Sequence, residues 1–248
     1  MRLYKVAAVV LRARDCGGGD KLLTLYSREY GKMKVMAHGV AKPYSRKRGA
    51  VQPFVFSKFL LRRGRELDTV SQCEAVETFS FLGAGLGKLA AASYLAELVD
   101  AFTAEWVPGG ELFTLFRDTL RLMGDQDNAL LLRSFEIKIA GLTGYRPVLD
   151  ACAGCHRPVD GEIFFSPEQG GVLCAGCGSG VSGAFSCNRG LVEVLKTLLS
   201  WQPARLHQLK VEPRVKNRIK QILFEYLRYH MERDLKSTAL MNRFHPGI

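Results

Sequence analysis

The chain has 248 residues, 47% of them apolar, and a formal net charge of +11 at pH 7. Its length suits one to three globular domains with a sizeable core. No apolar run approaches the roughly 20 residues that a membrane-spanning helix needs. The first residues also lack the long apolar stretch and small-residue cleavage site of a secretory signal. These features exclude a membrane-spanning protein, and we expect a cytosolic one.

The basic residues are concentrated at the two ends of the chain. Residues 1–78 and residues 187–248 each carry more than twice as many Lys and Arg as Asp and Glu, whereas the stretch between them is mildly acidic. A positive charge of this size favours an acidic partner such as nucleic acid or an anionic membrane surface. The separation predicts that nucleic acid binds the basic surfaces and that a protein partner binds the middle.

The first 78 residues contain five strand-like segments separated by turns that carry Gly or Pro. β-Branched and apolar residues mark each segment. The segments are Tyr4–Ala13, Lys21–Tyr26, Met33–Ala37, Phe54–Leu61 and Leu67–Glu74. Five short strands in about 75 residues are typical of a small closed barrel.

After Thr78 the apolar residues recur at helical spacing. The predicted helices are Gly85–Trp106, Glu111–Met123, Ala129–Leu142, Leu191–Leu199 and Val215–Leu227. We therefore predict an α+β multi-domain protein, with a barrel over residues 1–78, a helical domain over residues 79–147 and 187–248, and an inserted metal-binding segment over residues 148–186. The apolar stripe of the last helix predicts packing in the core rather than binding to a membrane surface.

The inserted segment contains two pairs of cysteines. Cys152 and Cys155 are followed, after 18 residues, by Cys174 and Cys177. The spacing C-x2-C-x18-C-x2-C matches structural zinc sites, in which four thiolates close a tetrahedron around Zn²⁺ and no water is activated. An odd total of seven cysteines also fits metal binding in a reducing compartment better than a disulfide framework. Two redox-active CxxC pairs are the alternative.

A basic run between the third and fourth predicted strands, His38–Phe54, is called the basic loop below. It contains no Asp or Glu, and glycines and prolines break it into turns. This pattern predicts a flexible cationic surface for a polyanion, with an ordinary solvated loop as the alternative. Barrel strands beside such a loop are typical of proteins that bind single-stranded nucleic acid. Candidate base-stacking rings are Tyr4, Tyr26, Tyr44 and Phe54, of which Tyr44 is favoured because it lies within the loop.

Residue types for catalysis are not clustered in the sequence. The five His residues are scattered, no His-x-Glu motif lies beside the cysteines, and no G-x-S-x-G motif is present. A zinc deaminase or a serine hydrolase requires one of these arrangements. We therefore expect a protein without enzymatic activity.

Two runs of the sequence are specific, namely GGDKLLTLYSREYGKMKVMAHGVAKPYSRKRGAVQPF and LTGYRPVLDACAGC. Together with the order of the parts, they resemble the RecO family of bacterial recombination mediators. They contain a Gly19-Asp20-Lys21 turn, the basic loop, a Gln52-Pro53-Phe54 strand entry and a helix exit at Gly144. The resemblance covers nearly the whole chain. Where the family has Glu before the Asp-Lys turn, this chain has Gly18 and Gly19, a departure that leaves the basic loop unchanged.

This resemblance implies an N-terminal oligonucleotide-binding (OB) fold, a helical domain and a zinc ribbon. It implies a protein that binds single- and double-stranded DNA and anneals complementary strands. The implied partners are the acidic C-terminal tail of single-strand-binding protein, RecR, and indirectly RecA, which is loaded on DNA in gap and break repair. The implied location is the cytoplasm, in association with the nucleoid.

The expected DNA contacts come from two sources. Lys42, Arg46 and Arg48 match family positions for DNA contact. Charge alone adds Lys21, Lys32, Lys34, Lys47, Arg214, Lys216, Arg218 and Lys220. Candidate cations for the acidic tail in the predicted helical domain are Arg117, Arg121, Arg133 and Lys138.

Two other function classes remain open at the level of sequence. One is a zinc-ribbon enzyme of RNA or tRNA metabolism, whose turnover would be abolished by a point change outside the basic loop. The other is an adaptor whose basic ends bind an acidic protein, for which oligonucleotide binding would not depend on length. The absence of a carboxylate or His cluster disfavours the first, and a strand-rich basic domain disfavours the second.

Overall fold

The computed structural model describes residues 2–79, 85–124 and 128–231, together with residues 235 and 237. The end of the predicted helical domain, residues 232–234, 236 and 238–248, lies outside the described residues. The chain forms two compact units, residues 1–124 and residues 125–248. The predicted domain boundaries stay a prediction. Two of the helices that the sequence assigned to the helical domain lie in the first compact unit, together with the barrel.

The first unit contains a closed five-stranded barrel. Its strands are β1 (Leu3–Gly17), β2 (Asp20–Ser27), β3 (Gly31–Ala37), β4 (Phe56–Arg62) and β5 (Asp68–Glu77). The strand order is β1-β2-β3-β5-β4, with β4 paired to β1, and only the short β3–β5 pairing is parallel. This strand order is that of the five-stranded Greek-key barrel of OB folds. The predicted fold class is confirmed, and each predicted strand overlaps an observed one.

Alternation of side chains builds the barrel core. Leu23 and Leu25 of β2 point inward with Met33 and Val35 of β3, and all four are fully buried. β1 pairs with β4 along its first half and with β2 along its second half. Register shifts in the second half bend the strand, as bulges do in small barrels.

Two helices complete the first unit: α1 (Leu86–Phe102), which packs against β1, and α2 (Gly110–Leu122), which packs against β2. The prediction that the first helix continues to Trp106 is wrong. The helix ends at Phe102 because Thr103 is extended and Glu105 pairs with the backbone of Lys32 in β3.

The second unit combines helices with a small sheet. Its elements are α3 (Asn128–Leu142), β6 (Ile163–Ser166), β7 (Gly171–Cys174), α4 (Ala175–Gly178), β8 (Phe185–Cys187), α5 (Arg189–Ser200) and α6 (Pro213–His230). The sheet order is β7-β6-β8. The apolar stripe of α6 is buried and the helix packs against α3 and α5, as the sequence predicts. Within the described ranges, no helix has both the length and the apolar character to cross a membrane.

Candidate nucleic-acid interface and cysteine cluster

The basic loop is a series of tight turns that closes one part of the barrel. Backbone amides of Ser45, Arg48 and Ala50 each donate to the carbonyl three residues earlier, at 3.0–3.2 Å. Val40 and Val51 are fully buried in the barrel core. The predicted flexible surface is therefore held at both ends by apolar side chains, which fixes where the intervening cations can reach.

Asp20, the first residue of β2, holds the start of the basic loop. Its carboxylate accepts a hydrogen bond from the Gly39 amide at 2.8 Å and contacts Nδ1 of His38 at 2.6 Å. The amide of Gly39 and the His38 ring lower the pKa of Asp20 below its ordinary value. Sequence reasoning noted the Gly-Asp-Lys turn without assigning this role, because the loop lies nearly 20 residues away along the chain.

The exposed side chains of the basic loop form a cationic surface with one aromatic ring. Tyr44 is 98% exposed, and Lys42, Arg46 and Arg48 are also exposed. Lys47 is half-buried and its ammonium donates to the carbonyl of Ser71 in β5 at 2.7 Å. Among the other candidate rings, Tyr26 is fully buried, Phe54 is 8% exposed and Tyr4 is half-buried. Tyr44 is thus the ring that the loop presents to solvent.

Three other lysines assigned to DNA contact by charge are engaged within the first unit. Lys32 is 8% exposed, and its ammonium lies 2.6 Å from the carbonyl oxygen and 3.1 Å from the carboxylate of Asp100. Lys34 pairs with Glu105 at 2.5 Å, and the mostly buried Lys21 pairs with Asp15 at 3.3 Å. Because these ammonium groups already have anionic partners, we leave these lysines out of the proposed contact surface.

The four candidates on α6 do not form one patch. Residues two positions apart on a helix point to nearly opposite sides, so Arg214 and Arg218 lie on one face and Lys216 and Lys220 on another. Arg218 donates to the carbonyl of Ser186 at 3.1 Å and lies over a phenylalanine ring. Burial and the nearby Arg133 lower the pKa of Lys220. Arg214 is the exposed member of the group.

The candidate cations for an acidic tail also have contacts inside their own units. Both nitrogens of one edge of Arg121 lie 2.7 Å from the carboxylate of Glu77, which ties α2 to β5. Arg117 stacks on the ring of Phe113. In α3, the buried Arg133 pairs with Glu136 at 3.0 Å. The fourth, Lys138, is in α3, and burial lowers its pKa.

The structure brings together the four cysteines that the sequence assigned to a metal. The four Sγ atoms all lie within 4.8 Å of one another, a group that could hold a metal ion. Cys152 and Cys155 lie in a loop in which the amide of His156 donates to the carbonyl of Cys152 at 2.8 Å, while Cys174 and Cys177 flank the start of α4. The loop is held beside β7, because the amide of Ala153 donates to the carbonyl of Val172 at 2.8 Å.

The chemistry of the cysteine cluster fits a tetrahedral thiolate site. A Zn–S distance of about 2.3 Å places the sulfurs of such a site about 3.8 Å apart. Sγ of Cys155 and Sγ of Cys174 lie 3.8 Å apart, well beyond a disulfide bond. The backbone amide and side chain of Arg157 lower the pKa of Cys155 to about 6, whereas hydrogen bonds with the other three cysteines raise the pKa of Cys177 to about 12. The amide of Cys174 also points at Sγ of Cys152, at 3.4 Å.

Comparison with known proteins gives the family. The model described as "Recombination protein O N terminal" matches residues 1–79, and that described as "Recombination protein O C terminal" matches residues 84–239. The chain belongs to the RecO family. A protein named DNA repair protein RecO from Pelotomaculum thermopropionicum is 57% identical over 244 residues, which are 98% of this chain and 95% of that protein. Proteins of the same name from Desulforamulus reducens and Desulforudis audaxviator are 43% and 42% identical, with 96% and 98% of their lengths covered.

Proposed function

We propose that this chain is a non-enzymatic recombination mediator of the RecO type, which binds single- and double-stranded DNA and anneals complementary strands. Its membership in the RecO family supports a role in recombination repair. The observation that carries the DNA-binding part is the basic loop, which presents exposed Lys42, Arg46 and Arg48 beside the exposed ring of Tyr44 on an OB barrel.

Annealing on this surface requires no catalytic group. Two complementary strands repel each other, and a surface with several exposed cations lowers that repulsion by contacting phosphates. Phosphate contacts leave the base edges free to pair. Tyr44 stacks a base and limits sliding of the bound strand. Because each contact is weak, the paired product leaves the surface once base pairing has replaced the stacking contacts.

The proposed partners follow from the family. We place the protein at the nucleoid in the cytoplasm, on DNA coated with single-strand-binding protein, where it engages the acidic C-terminal tail of that protein. It acts with RecR to load RecA in gap and break repair. An acidic tail with apolar terminal residues needs an apolar groove bordered by Lys or Arg.

We propose that Cys152, Cys155, Cys174 and Cys177 hold a structural Zn²⁺. A four-thiolate zinc ion supplies folding energy and, having no open coordination position, activates no water. The grouping of the four sulfurs, the separation of Sγ of Cys155 and Cys174 and the amide of Cys174 support this assignment.

The experiment that tests the proposed function is the annealing of two complementary oligonucleotides coated with bacterial single-strand-binding protein, without nucleotide. We expect the protein to accelerate annealing and added salt to remove the acceleration, because phosphate contacts displace counterions. Folded, metal-loaded protein that gives no acceleration would overturn the annealing proposal and would favour the enzyme or adaptor alternatives.

A further inference from the structure

The connection between α1 and α2 is fixed against the start of β3. The amide of Trp106 donates to the carbonyl of Lys32 at 2.8 Å, and Glu105 forms a bridge with the same residue. Lys34 binds the Glu105 carboxylate from the next outward position of β3. Val107 lies so close to Gly31 that any side chain at that glycine would overlap the Val107 carbonyl. The backbone carbonyl of Lys32 and the side chain of Lys34 therefore hold this connection against β3.

Trp106 is held in an unusual and exposed position. Its φ angle is +63°, which a bulky residue adopts only where the surrounding structure imposes it. The side chain is nevertheless 45% exposed, and the neighbouring Val107 is 55% exposed. Burial of the indole thus does not account for the positive φ. The contacts of residues 105–107 with β3 impose it, and they leave the ring open to solvent.

Ring contacts continue from Trp106 to two tyrosines that are partly buried and pack against the barrel core, and then to an exposed basic turn. The Trp106 ring meets Tyr30 edge-on at 6.4 Å, and Tyr30 meets Tyr4 at 5.4 Å. The guanidinium of Arg63 lies 5.5 Å from the Tyr4 ring. Trp106 is the exposed ring of this series, and an exposed aromatic ring close to guanidinium groups is typical of sites that stack nucleic-acid bases.

The turn between β4 and β5 supplies the charge of this region. Arg62, Arg63 and Arg65 are exposed, and Glu66 is the acidic residue among residues 62–67. Buried Asp68 fixes the turn, because it accepts hydrogen bonds from the amide of Gly64 at 3.0 Å and from the Tyr4 hydroxyl. This loop is one of the two through which OB barrels bind oligonucleotides.

We infer that Trp106 is a second contact for single-stranded DNA, a base-stacking platform whose flanking phosphates are bound by Arg63 and Arg65. This inference rests on the proposed function and extends it. Trp106 lies at the start of β3 and the basic loop follows the end of β3, so about 20 Å of strand separates them. The exposed arginines favour a polyanion over a neutral protein segment as the ligand.

The fluorescence of Trp106 gives a direct test, because the chain has two tryptophans. Trp201, in the second unit, stacks under Arg205, and Trp201→Phe keeps a ring for that contact. The Trp201→Phe protein is titrated with an oligonucleotide of about 20 thymidines, long enough for an OB barrel. A stable abasic analogue of the same length serves as the control, since it carries the phosphates without bases. Affinity is measured separately, from the anisotropy of an end-labelled oligonucleotide.

We expect the thymidine oligonucleotide to quench Trp106 and the abasic analogue to leave it nearly unchanged. Trp106→Ala should weaken binding by about 5- to 100-fold, whereas Trp106→Phe should retain most of the affinity. Trp106→Gly relieves the positive φ and should lose affinity to the same extent while keeping the melting temperature. Equal quenching by the abasic analogue, or unchanged affinity of folded Trp106→Gly, would overturn the inference.

The same measurements separate this inference from the proposed function. DNA binding that depends on Arg46 and Arg48 but not on Trp106 would remove the second contact and leave the proposed function in place. No binding of labelled DNA by the folded wild-type protein would remove the proposed function itself.

Discussion

Lys32 lies in β3 with its ammonium between the carbonyl and the carboxylate of Asp100. Replacing it with Ala leaves Asp100 without this partner and removes a buried side chain. We expect Lys32→Ala to lower the free energy of unfolding by about 3 kcal/mol, as for other buried pairs that lose one member. Lys58→Ala, at an exposed position of β4, should change it by less than about 0.5 kcal/mol. Denaturant unfolding of both variants checks this, and equal stability of the two would contradict the structural role of Lys32.

Asp20 connects the start of β2 to the basic loop through Gly39 and His38. Its lowered pKa means that the folded protein favours the carboxylate. The stabilisation that Asp20 gives to the loop is therefore present above the ordinary aspartate pKa of about 3.9, and it is lost as the pH falls through the lower folded value.

The Gly39 amide reports this titration. Its NMR chemical shift should change with a midpoint below the ordinary aspartate pKa, and the change should disappear in Asp20→Asn. Asp15→Asn, which removes an exposed carboxylate near the end of β1, should leave the Gly39 titration intact. A midpoint at or above about 3.9 would contradict the role of Asp20.

Residue types gave the candidate cations, but the sequence could not separate those that bind within the protein from those that face solvent. Lys32 and Arg48 both occur in a basic stretch, yet the first is buried by α1 residues almost 70 positions later. The pairing of Lys32 with Asp100 depends on where α1 lies in the folded first unit, and no local sequence pattern encodes that position. The cysteine cluster was predictable because metal ligation requires a fixed spacing within each pair.

At the scale of elements, the basic loop is the part of the barrel that the proposal assigns to DNA. Arg46→Ala combined with Arg48→Ala should weaken binding to single-stranded DNA. The slope of log K against log salt concentration should become less steep by about 1.4, because each of the two arginines neutralises one phosphate and contributes about 0.7 to that slope. The fold should remain, because neither side chain is buried. Anisotropy titrations at several salt concentrations measure both the affinity and its salt dependence.

The matched control for this double variant removes the same charge elsewhere on the barrel. Lys5 and Lys58 are exposed on β1 and β4. Lys5→Ala combined with Lys58→Ala should leave the salt dependence close to that of the wild type. An equal reduction of affinity in the two double variants would show that net charge, rather than the basic loop, determines binding.

The cysteine cluster gives a second prediction at this scale. Purified protein should contain about one zinc ion per chain, and Cys155→Ser should lose the metal and lower the melting temperature of the second unit by roughly 10 °C or more. Cys16→Ser, at an exposed cysteine outside the cluster, should keep both metal and stability. Atomic emission and thermal melts measure the two properties, and a stable, metal-free Cys155→Ser protein that matches the wild type would refute the structural zinc.

The strands and most helices were predictable because alternating or helical apolar spacing marks each of them. The end of α1 could not be predicted in this way, because Ala104 and Glu105 are compatible with a helix. Pairing of Glu105 with β3 decides the backbone there. The contacts that hold the two ends of the basic loop were not predicted either. Only the fold shows that Val40 and Val51, ordinary loop residues by sequence, enter the barrel core.

At the scale of the whole molecule, we propose that annealing depends on many weak phosphate contacts rather than on an active site. Such contacts act on any sequence and weaken together when salt is added. The proposed function therefore depends on the exposed cations of the basic loop and not on the total charge of the protein.

The most direct test measures the annealing rate of complementary oligonucleotides coated with single-strand-binding protein for three proteins: wild type, Arg46→Ala with Arg48→Ala, and Lys5→Ala with Lys58→Ala. We predict that the wild type and the Lys5 and Lys58 variant accelerate annealing and that the Arg46 and Arg48 variant does so much less, although all three are folded and contain metal. Equal acceleration by all three proteins would contradict the assignment of annealing to the basic loop.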